Sequence, residues 1–308
     1  MSGPEVVVVG SLNMDLVART ARLPVPGETV AGLSFATVPG GKGANQAVAA
    51  ARLGARTAMV GCLGDDAFGA QLRAGLEADG IDCRGVRTAA GVSSGVALIV
   101  VDDAGRNGIV VVAGANGELT PADVDANVGL IAGARMVVLQ LETPLATVEH
   151  AARRARALGK TVVLNPAPAR VLPEGLLACA DLLVPNELEA AALTGLAVSS
   201  VGSALEAGRR LRQAGAGTVL VTLGAQGVVA VGPGGASHHP ARPVAAVDTT
   251  AAGDTFIGGL CAALVRGRPL PQAIAFAQAA AALSVTRPGA QPSIPQEREV
   301  VVPAAEAS

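Results

Sequence analysis

The sequence predicts an α/β protein with a doubly wound, mostly parallel sheet, helices on both faces and a small projecting β-sheet. Short apolar runs such as Val6–Val9 are typical of strands buried on both faces of a parallel sheet. Ala-rich stretches with helical spacing, such as 44–53, alternate with these runs, which indicates βαβ units. Two Val-rich runs within 95–112, separated by the polar turn 102–107, indicate a β-hairpin outside this alternation.

The expected elements of the first part of the chain can be given in order. They are a strand at Val6–Val9, an extended segment to residue 38, a glycine loop at 39–43, a helix at 44–53, a strand at 57–60, a helix at about 66–78 and the hairpin at 95–112. Asp65 or Asp66 is expected to cap the second helix. The extended segment is expected to pair with the hairpin, which would complete the small projecting sheet.

The second part of the chain alternates more regularly. Its expected elements are a strand at Met136–Leu139, a helix at 144–157, strands at Thr161–Leu164 and 182–184, a helix after 186, a helix at 203–214, strands at Thr218–Thr222 and 228–231, and helices at 253–265 and 270–286. No linker long or polar enough to divide two domains is present, so residues 1–308 are expected to form a single domain. The tail from about Pro303 is expected to fray.

The composition excludes several classes of function. Trp and Tyr are absent, the formal net charge is −2 and the pI is near 6.0, so neither nucleic acid nor a membrane is an expected partner. No apolar run has the length of a membrane span, and no basic segment precedes the first strand. The four cysteines, which are Cys62, Cys83, Cys179 and Cys261, are scattered without CxxC spacing and are expected to be free thiols. We expect a soluble cytoplasmic protein.

The start of the helix at 253–265 is the first candidate site. Small residues surround Asp254, so the unpaired N–H groups of this helix start could bind an anion beside a carboxylate. A plain capped helix start explains the same pattern. Further polar residues follow the expected strands, where ligands bind in doubly wound sheets. They are Asn13, Asp15, Lys42, Asn45, Gln140, Glu142, Asn165, Asn186, Glu189 and Thr222.

Other familiar catalytic motifs are missing from the sequence. Lys42 is followed by Gly43, so it does not belong to a P-loop. No G-x-G-x-x-G follows the first strand, and neither H-E-x-x-H nor G-x-S-x-G occurs. The pair His238–His239 stands before Pro240 and is expected in a solvated turn. A phosphorylated or phosphoryl-accepting polyol is the ligand that the candidate site favours.

Two long motifs carry a resemblance to a known family. Residues 40–47, Gly-Gly-Lys-Gly-Ala-Asn-Gln-Ala, and residues 248–256, Asp-Thr-Thr-Ala-Ala-Gly-Asp-Thr-Phe, resemble the two motifs of ribokinase-type carbohydrate kinases. Asn186-Glu187-Leu188-Glu189 is similar to the N-x-x-E element of that family, and the likeness covers nearly the whole chain. The resemblance implies transfer of the γ-phosphoryl group of ATP to the 5-hydroxyl of D-ribose, which gives D-ribose 5-phosphate.

The resemblance also implies roles for individual residues. Asp254 would accept the hydroxyl proton, and the N–H groups of Ala251, Ala252, Gly253 and Asp254 would form an anion hole. The sugar would contact Asn13, Asp15, Gly41, Lys42, Gly43, Asn45, Glu142 and Asp254, with Ala97 and Ile109 of the hairpin closing over it. Each polar side chain among these also has a local explanation as a turn former, a solvated charge or a helix-start acid.

Nucleotide and metal sites follow from the same resemblance. ATP would contact Asn186, Thr222, Leu223, Gly224, Ala225, Gly227 and Gly253, with Gln278 near the adenine. Glu189 would hold Mg²⁺ through water, although a charged residue in a first helical turn is common in itself. A monovalent cation, K⁺, would bind mainly through backbone carbonyls. Its expected ligands are Asp248, Thr250, Ser284, Arg287, Gly289 and Ser293.

The segments at about 15–40 and 92–115 are similar to the lid of that family, which pairs two subunits. A projecting sheet with Val-rich faces needs a cover, so a homodimer is expected. Two alternatives remain open. One is a related kinase acting on 2-deoxyribose, a ketose or a nucleoside, and the other is a non-catalytic sensor of sugar or nucleotide on the same fold.

Overall fold

The computed structural model describes residues 3–173 and 175–302. The strands in these ranges are β1 (Val6–Val9), β2 (Asn13–Thr20), β3 (Gly32–Gly40), β4 (Thr57–Gly64), β5 (Asp82–Ala89), β6 (Gly95–Asp102), β7 (Asn107–Val112), β8 (Met136–Leu139), β9 (Thr161–Leu164), β10 (Leu182–Leu183), β11 (Thr218–Thr222), β12 (Val228–Gly232) and β13 (Gly235–His239). The expectation of a frayed tail from Pro303 falls outside the described residues.

Helices follow most of the strands. They are α1 (Lys42–Arg52), α2 (Ala67–Ala78), α3 (Pro121–Ala126), α4 (Val128–Gly133), α5 (Leu145–Ala157), α6 (Leu176–Cys179), α7 (Glu187–Thr194), α8 (Val201–Gln213), α9 (Ala252–Val265) and α10 (Leu270–Ser284). Single 3₁₀ turns occur at Gly114–Glu118, Gly224–Gln226, Gln291–Ser293 and Glu297–Glu299. In the described ranges, no helix has both the length and the apolar character needed to cross a membrane.

The main sheet has nine strands in the order β13-β12-β11-β10-β9-β8-β1-β4-β5. Every pair from β11 to β5 is parallel, and β12 and β13 add an antiparallel edge. Because parallel strands point the same way, their carboxyl ends share one edge of the sheet. The polar residues that follow these strands are therefore brought to that edge.

The two faces of this sheet carry two separate apolar cores. Val6 and Val8 of β1 point into one core with α1, α9 and α10, whereas Val7 and Val9 point into the other with α5 and α8. All four valines are at most 1% exposed. A strand covered on both faces has no polar positions, which explains the continuous apolar run in the sequence.

A second sheet of four strands has the order β3-β2-β6-β7. β2 pairs with β3 in antiparallel and with β6 in parallel orientation, and β6 and β7 form a hairpin. The expected pairing of the extended segment with the hairpin is thereby confirmed. Directly opposite residues share a face, so Asp15, Ala97 and Val111 lie on one face of this small sheet, together with Ile109 two residues along β7.

The expected fold class is confirmed, and Asp66 caps α2 by accepting from the N–H of Gly69 at 2.7 Å. Two expectations were wrong in detail. The helix after the glycine loop begins at Lys42, not at residue 44, because the turn ends at Gly41, which has a φ of 86°. His238 and His239 lie in the edge strand β13 rather than in a turn.

Two strands and several short helices had no clear signal in the sequence. β5 contains Gly85 and alternating charged residues, and β13 consists of glycine, alanine, serine and histidine. Both are edge strands, whose outer sides need no apolar residues. The helices α3 and α4 have only six residues each, too few for a clear periodicity.

Candidate active site

A cavity of about 200 Å³ opens at the carboxyl edge of the main sheet, against the start of α9. Its lining residues come from the ends of strands and the starts of helices. They are Lys42, Asn165, Ala167, Val184, Asn186, Glu189, Thr222, Thr249, Ala251, Ala252, Gly253, Asp254 and Ile257. The sequence motifs at 40–47, 186–189 and 248–256, which are far apart in the chain, therefore meet in one place.

The start of α9 has an unusual backbone. Ala251 precedes the helix with a φ of 58° and a ψ of 11°, the left-handed region. It is the sole non-glycine residue with positive φ in the described ranges, and such a conformation costs about 1–2 kcal/mol. Strain of this kind is found where a binding site fixes the backbone.

The N–H groups at this helix start are partly free. The N–H of Ala252 donates to the carbonyl of Thr249 at 3.2 Å, and that of Thr255 donates to the carbonyl of Ala251 at 2.8 Å. The N–H groups of Gly253 and Asp254 have no acceptor in the described part of the chain. A Cβ on Gly253 would meet no atom within 4 Å, so there is open space beside this residue. The N–H of Ala251 likewise has no acceptor in the described ranges, so three of the four expected anion-hole groups are free and that of Ala252 is engaged in a turn.

Asp254 is only 7% exposed, and its carboxylate is held by two amides of α1. Asn45 Nδ2 donates to Oδ2 at 3.0 Å, and Gln46 Nε2 donates to Oδ1 at 2.9 Å. The structure therefore joins the two long motifs through a direct contact between their side chains. A plain helix cap does not describe Asp254, because the N-cap is Ala251 and no side chain caps this helix.

The glycines of the loop before α1 make room for polar side chains. A Cβ on Gly40 would lie 2.4 Å from Asp15 Oδ2, and one on Gly41 would lie 2.7 Å from the backbone nitrogen of Asn13. A Cβ on Gly43 would lie 2.5 Å from the backbone nitrogen of Ser11. Side chains at these positions would displace β2 and its polar residues. The loop is therefore glycine-rich because it is packed tightly against the start of β2.

Glu142 connects this loop to the end of β8. Its Oε2 accepts from Ser11 Oγ at 2.6 Å and from the N–H of Lys42 at 3.0 Å. A carboxylate at the first residue of α1 is favourable because of the helix dipole. The local explanation of Glu142 as a helix-start acid therefore applies, but the helix is α1 and not α5, which follows Glu142 in the chain. Its second oxygen, Oε1, accepts no hydrogen bond from the described residues.

Lys42 is the cation at the centre of these acids. Burial by itself lowers the pKa of Lys42, but the surrounding negative charge outweighs burial and raises it above the ordinary value. The carboxyls responsible are Asp254, Glu142, Glu189 and Asp15. Lys42 therefore stays charged, and one positive charge stands against four carboxyls.

Asp15 is the carboxyl of this group whose pKa is raised most clearly. Burial, followed by the charges of Glu142 and Asp254, raises its pKa to about 7, although Lys42 acts in the opposite direction. Its carboxyl therefore titrates near neutral pH in the protein without ligand.

Asn186 and Glu189 form a capping box at the start of α7. Asn186 Oδ1 accepts from the N–H of Glu189 at 2.8 Å, and Glu189 Oε2 accepts from the N–H of Asn186 at 2.9 Å. Burial raises the pKa of Glu189, more than the contacts with Asn186 and Lys42 lower it. The N-x-x-E element is therefore a helix cap, and it also places a buried carboxylate on the cavity wall.

The expected nucleotide residues lie around the end of β11. Thr222 pairs with Asn186 in a single β-bridge, and residues 224–226 form a 3₁₀ turn. Leu223 is 2% exposed, so its side chain belongs to the core. A Cβ on Gly227 would lie 2.1 Å from the carbonyl oxygen of His239, which explains this glycine by packing. Ala225 and Gly224 are exposed in the turn.

Gln278, the residue of α10 expected near the adenine, is not among the residues that line the cavity. Its Nε2 donates to the carbonyl of His239 at 2.8 Å, which ties the end of β13 to α10. His238 Nε2 contacts the carbonyl of Gln226 at 2.7 Å, and His239 Nε2 contacts Ser237 Oγ at 3.0 Å. The histidine pair therefore supports this edge of the sheet.

The expected K⁺ ligands come from two loops that are bonded to each other. Asp248 Oδ1 accepts from the N–H of Thr250 at 2.9 Å, and its Oδ2 accepts from that of Gly289 at 2.9 Å. Ser284 and Ser293 are fully buried, and the guanidinium of Arg287 pairs with Glu299 at 2.7 Å, so a cation here would use the carbonyl of Arg287. In the described part of the chain, no three His, Cys, Asp or Glu side chains are grouped as metal ligands.

Four further residues support the site, and of these only Gln140 was among the polar residues expected at the carboxyl edge of the sheet. Gln46 holds Asp254, and Gln140 donates to Gln46 at 2.6 Å. Ser11 holds Glu142, and Asn116 Nδ2 donates to Asn13 Oδ1 at 2.7 Å. Gln46 lies in the first motif, so its position in the sequence could have indicated it as well. Asn116 lies in a 3₁₀ turn after the hairpin and carries no comparable signal.

Known proteins resemble this chain over nearly its whole length. A family model described as pfkB family carbohydrate kinase matches residues 4–297. A ribokinase of Haemophilus influenzae is 44% identical over 294 residues, which cover 96% of each chain. A deoxyribokinase of Salmonella typhimurium is 39% identical over 292 residues, covering 94% of this chain and 95% of its own. The structure of an Arabidopsis thaliana ribokinase complexed with ribose and ATP has a TM-score of 0.90 and 34% identity, and the match covers 97% of each chain.

The titration of Asp15 gives the first testable prediction. Because its pKa rises from 3.8 to about 7 on folding, the native state binds more protons than the unfolded state between these values, and the raised pKa lowers stability as pH increases. We expect the free energy of unfolding of Asp15→Asn, relative to that of the wild type, to increase by about 3–4 kcal/mol as pH rises from about 4 to about 8. Urea unfolding of the unliganded protein measures this difference.

Asp103→Asn is the matched control, because it removes an exposed carboxyl from the turn of the same small sheet. A stability difference between Asp15→Asn and the wild type that stays constant over this pH range would contradict the assignment of a raised pKa to Asp15.

Proposed function

Because this chain belongs to the pfkB family of carbohydrate kinases, we propose that it transfers the γ-phosphoryl group of ATP to the 5-hydroxyl of D-ribose. The products would be D-ribose 5-phosphate and ADP. One observation carries this proposal: the carboxylate of Asp254 lies in a cavity with Lys42 and Glu189, beside free N–H groups of a helix start. A proton acceptor and an anion site at one place are what phosphoryl transfer to an alcohol requires.

In the proposed reaction the 5-hydroxyl oxygen attacks the γ-phosphorus while the bond to the β,γ-bridging oxygen breaks. The hydroxyl proton goes to Asp254, and ADP leaves with the electron pair of the broken bond. The N–H groups of Gly253 and Asp254 would stabilise the charge on the transferring group, and the open space at Gly253 would admit it. Phosphoryl transfer has a loose transition state, so positioning and charge stabilisation contribute more than early proton removal.

The proposed sugar contacts use oxygens and amides that have free hydrogen-bonding capacity. Asn45 Oδ1 is buried and has no partner in the described part of the chain. Asn13 accepts from Asn116 through Oδ1, so its NH₂ group is left to donate to a hydroxyl. Asp15 and Glu142 Oε1 can accept from vicinal hydroxyls, and Lys42 can donate. Ala97 and Ile109, which share the face of Asp15, would cover the ring.

ATP would lie along the cavity from Gly253 to the turn at 224–226, with Asn186 and Thr222 beside it and Gln278 toward the adenine. Mg²⁺ suits this site because the carboxyls outnumber the one lysine and a hard cation that keeps several waters needs few protein ligands. Glu189 would hold it through water. When bound, Mg²⁺ would neutralise charge on the phosphates.

A K⁺ ion would bind between the loops at 248–250 and 284–293. The donor set fits such an ion in its chemistry, since backbone carbonyls and the carboxylate of Asp248 are oxygen ligands and Asp248 holds the two loops together. A bound cation would fix the loop that precedes Ala251 and add positive charge near the anion site.

We also propose that two chains associate through the small sheet and that residues 1–308 form one domain. Both faces of this sheet carry exposed apolar side chains. They include Leu33 and Phe35, each 65% exposed, and Ile109, Val110 and Val111, at 53%, 60% and 56%. An apolar surface of this kind needs a partner, and a second copy offers a matching one.

The four cysteines are free thiols, which supports a reducing, cytoplasmic location.

A related sugar is the second candidate substrate, because a deoxyribokinase is 39% identical to this chain. An assay of ADP release with ribose, 2-deoxyribose, a ketose and a nucleoside separates these candidates. Ribose-dependent release with the largest kcat/KM supports the proposal. Preference for another member of the panel would reassign the substrate, and no release with any of them would favour a non-catalytic sensor.

Replacing Asp254 tests its assigned role. Asp254→Asn keeps the size of the side chain but removes the proton acceptor, so we expect kcat to fall about 100- to 10,000-fold. Ribose binding measured by calorimetry should weaken by less than about tenfold, because the other sugar contacts remain. Asp181→Asn, at the amino end of β10, is the control carboxylate. Near wild-type kcat in Asp254→Asn would show that another group accepts the proton.

Cation exchange tests the K⁺ site. Activity at fixed Mg²⁺ and ATP should fall about tenfold when K⁺ is replaced by choline, because a fixed cation next to developing negative charge is worth about 1.4 kcal/mol. Restoring K⁺ should restore the rate. Equal rates in choline and in K⁺ would remove the cation from the proposal.

Light scattering at micromolar concentration tests the dimer. We expect the mass of two chains for the wild type and of one chain for Val110→Lys, which places a charge on the exposed face of β7. Val171→Lys is the matched control, since Val171 is 91% exposed outside the small sheet and should leave the mass unchanged. A monomeric wild type would contradict association through this sheet.

A further inference from the structure

Gln46 is a buried glutamine whose hydrogen-bonding groups are all used. It lies on α1 next to Asn45 and is 1% exposed. Its Nε2 donates to Asp254 Oδ1 at 2.9 Å and to Asn165 Oδ1 at 3.1 Å. Its Oε1 accepts from Gln140 Nε2 at 2.6 Å. Gln46 thus connects the carboxylate of the site to two strand-end amides behind it.

The direction of this amide chain is set by a backbone carbonyl. Asn165 Nδ2 donates to the carbonyl of Val184 at 2.9 Å, and a carbonyl can only accept. The Oδ1 of Asn165 must therefore face Gln46, and Gln46 must donate to it through its NH₂ group. That orientation turns the oxygen of Gln46 toward Gln140, which in turn must present its own NH₂ group.

A reversed amide at Gln46 would be unfavourable at both ends. Its oxygen would then face the carboxylate of Asp254 and the oxygen of Asn165, so that acceptors would oppose acceptors. In a site excluded from water, such contacts are strongly destabilising. The chain from Val184 through Asn165 and Gln46 therefore admits one orientation, the one that offers a donor to Asp254.

This arrangement leaves Gln140 with an unsatisfied hydrogen-bond acceptor. Its Oε1 is buried without a partner in the described part of the chain. A Cβ on Gly10 would lie 2.0 Å from that oxygen, so the glycine at the end of β1 makes room for it. An unsatisfied buried oxygen lowers stability, and a reversed Gln140 would move the loss to its contact with Gln46. The unsatisfied oxygen therefore lies on Gln140, and the NH₂ group of Gln46 still donates to Asp254.

From this geometry we infer that Gln46 is a positioning residue for the reacting carboxylate, held in its orientation by Asn165 and Gln140. The inference rests on the proposed function, in which Asp254 accepts the hydroxyl proton. Asn45 and Gln46 each donate to one oxygen of Asp254, which leaves the remaining lone pairs in fixed directions. Both donors contact the carboxylate, which is the form that can accept a proton.

Gln46→Met is the direct test, because methionine has a similar length and no donor. Loss of one hydrogen bond to a charged group predicts a decrease in kcat with ribose of about 10- to 100-fold. The acid limb of the pH profile of kcat should move to higher pH by about one unit. The Kd for ribose, measured without nucleotide, should change less than about threefold, since Gln46 lies behind Asp254.

Gln140→Met is the second variant. It keeps the contact of Gln46 with Asn165 but removes the hydrogen bond that Gln46 Oε1 accepts, which is one of the two contacts that hold this amide. We therefore expect a smaller decrease in kcat and a smaller movement of the acid limb in the same direction. Thr147→Val is the control for losing a buried hydrogen bond elsewhere, because Thr147 Oγ1 donates to the carbonyl of Leu119 at 2.7 Å on α5. Its kcat and pH profile should match the wild type.

The outcomes separate this inference from the proposed function. A wild type that releases no ADP with ribose overturns the proposed function. An active wild type with an unchanged acid limb in Gln46→Met overturns the role of Gln46. If Gln46→Met does not fold, the acid limb of the pH profile of kcat is measured for Gln140→Met instead. A profile of Gln140→Met that is identical to that of Thr147→Val overturns the inference.

Discussion

The close contact of α9 with α1 is the constraint on which the candidate site depends. A Cβ on Gly258 would lie 2.4 Å from Ala49 Cβ and 2.6 Å from the backbone nitrogen of Ala50, so the two helices touch through small residues. This contact sets the distance between the start of α9 and the first turns of α1. Asn45 can reach Asp254 at 3.0 Å only because the helices are this close. The Ala- and Gly-rich composition of both helices is therefore required by the site as well as by the core.

Much of the fold could be predicted because its strongest signals are local. Runs such as Val6–Val9 and the alternation of strands with Ala-rich helices depend only on burial and periodicity. The same reasoning brought Asn165 and Gln140 to the carboxyl edge, since polar residues after parallel strands meet there. The family motifs then added roles to Asp254 and Glu189 that spacing alone would not have supplied.

The remainder depends on contacts between distant residues, which a single sequence does not record. β5 and β13 are edge strands with little apolar character, so burial leaves no pattern in them. Asn116 reaches Asn13 across 103 residues, and the orientation of Gln46 depends on a carbonyl at Val184. The raised pKa of Asp15 likewise results first from burial and then from the charges of Glu142 and Asp254, which lie on other segments of the chain. Such properties arise only after the chain has folded.

The exposed strand β7 has a consequence for how the protein is made. It is an edge strand with apolar residues on both faces, and it is synthesised before β8 and every later strand of the main sheet. A ribosome-bound chain that ends shortly after β7 therefore presents a Val-rich strand with one unpaired edge while six of the nine strands of the main sheet are still missing. Strands of this kind join one another edge to edge. Fast expression and warm growth would therefore favour such joining over correct folding.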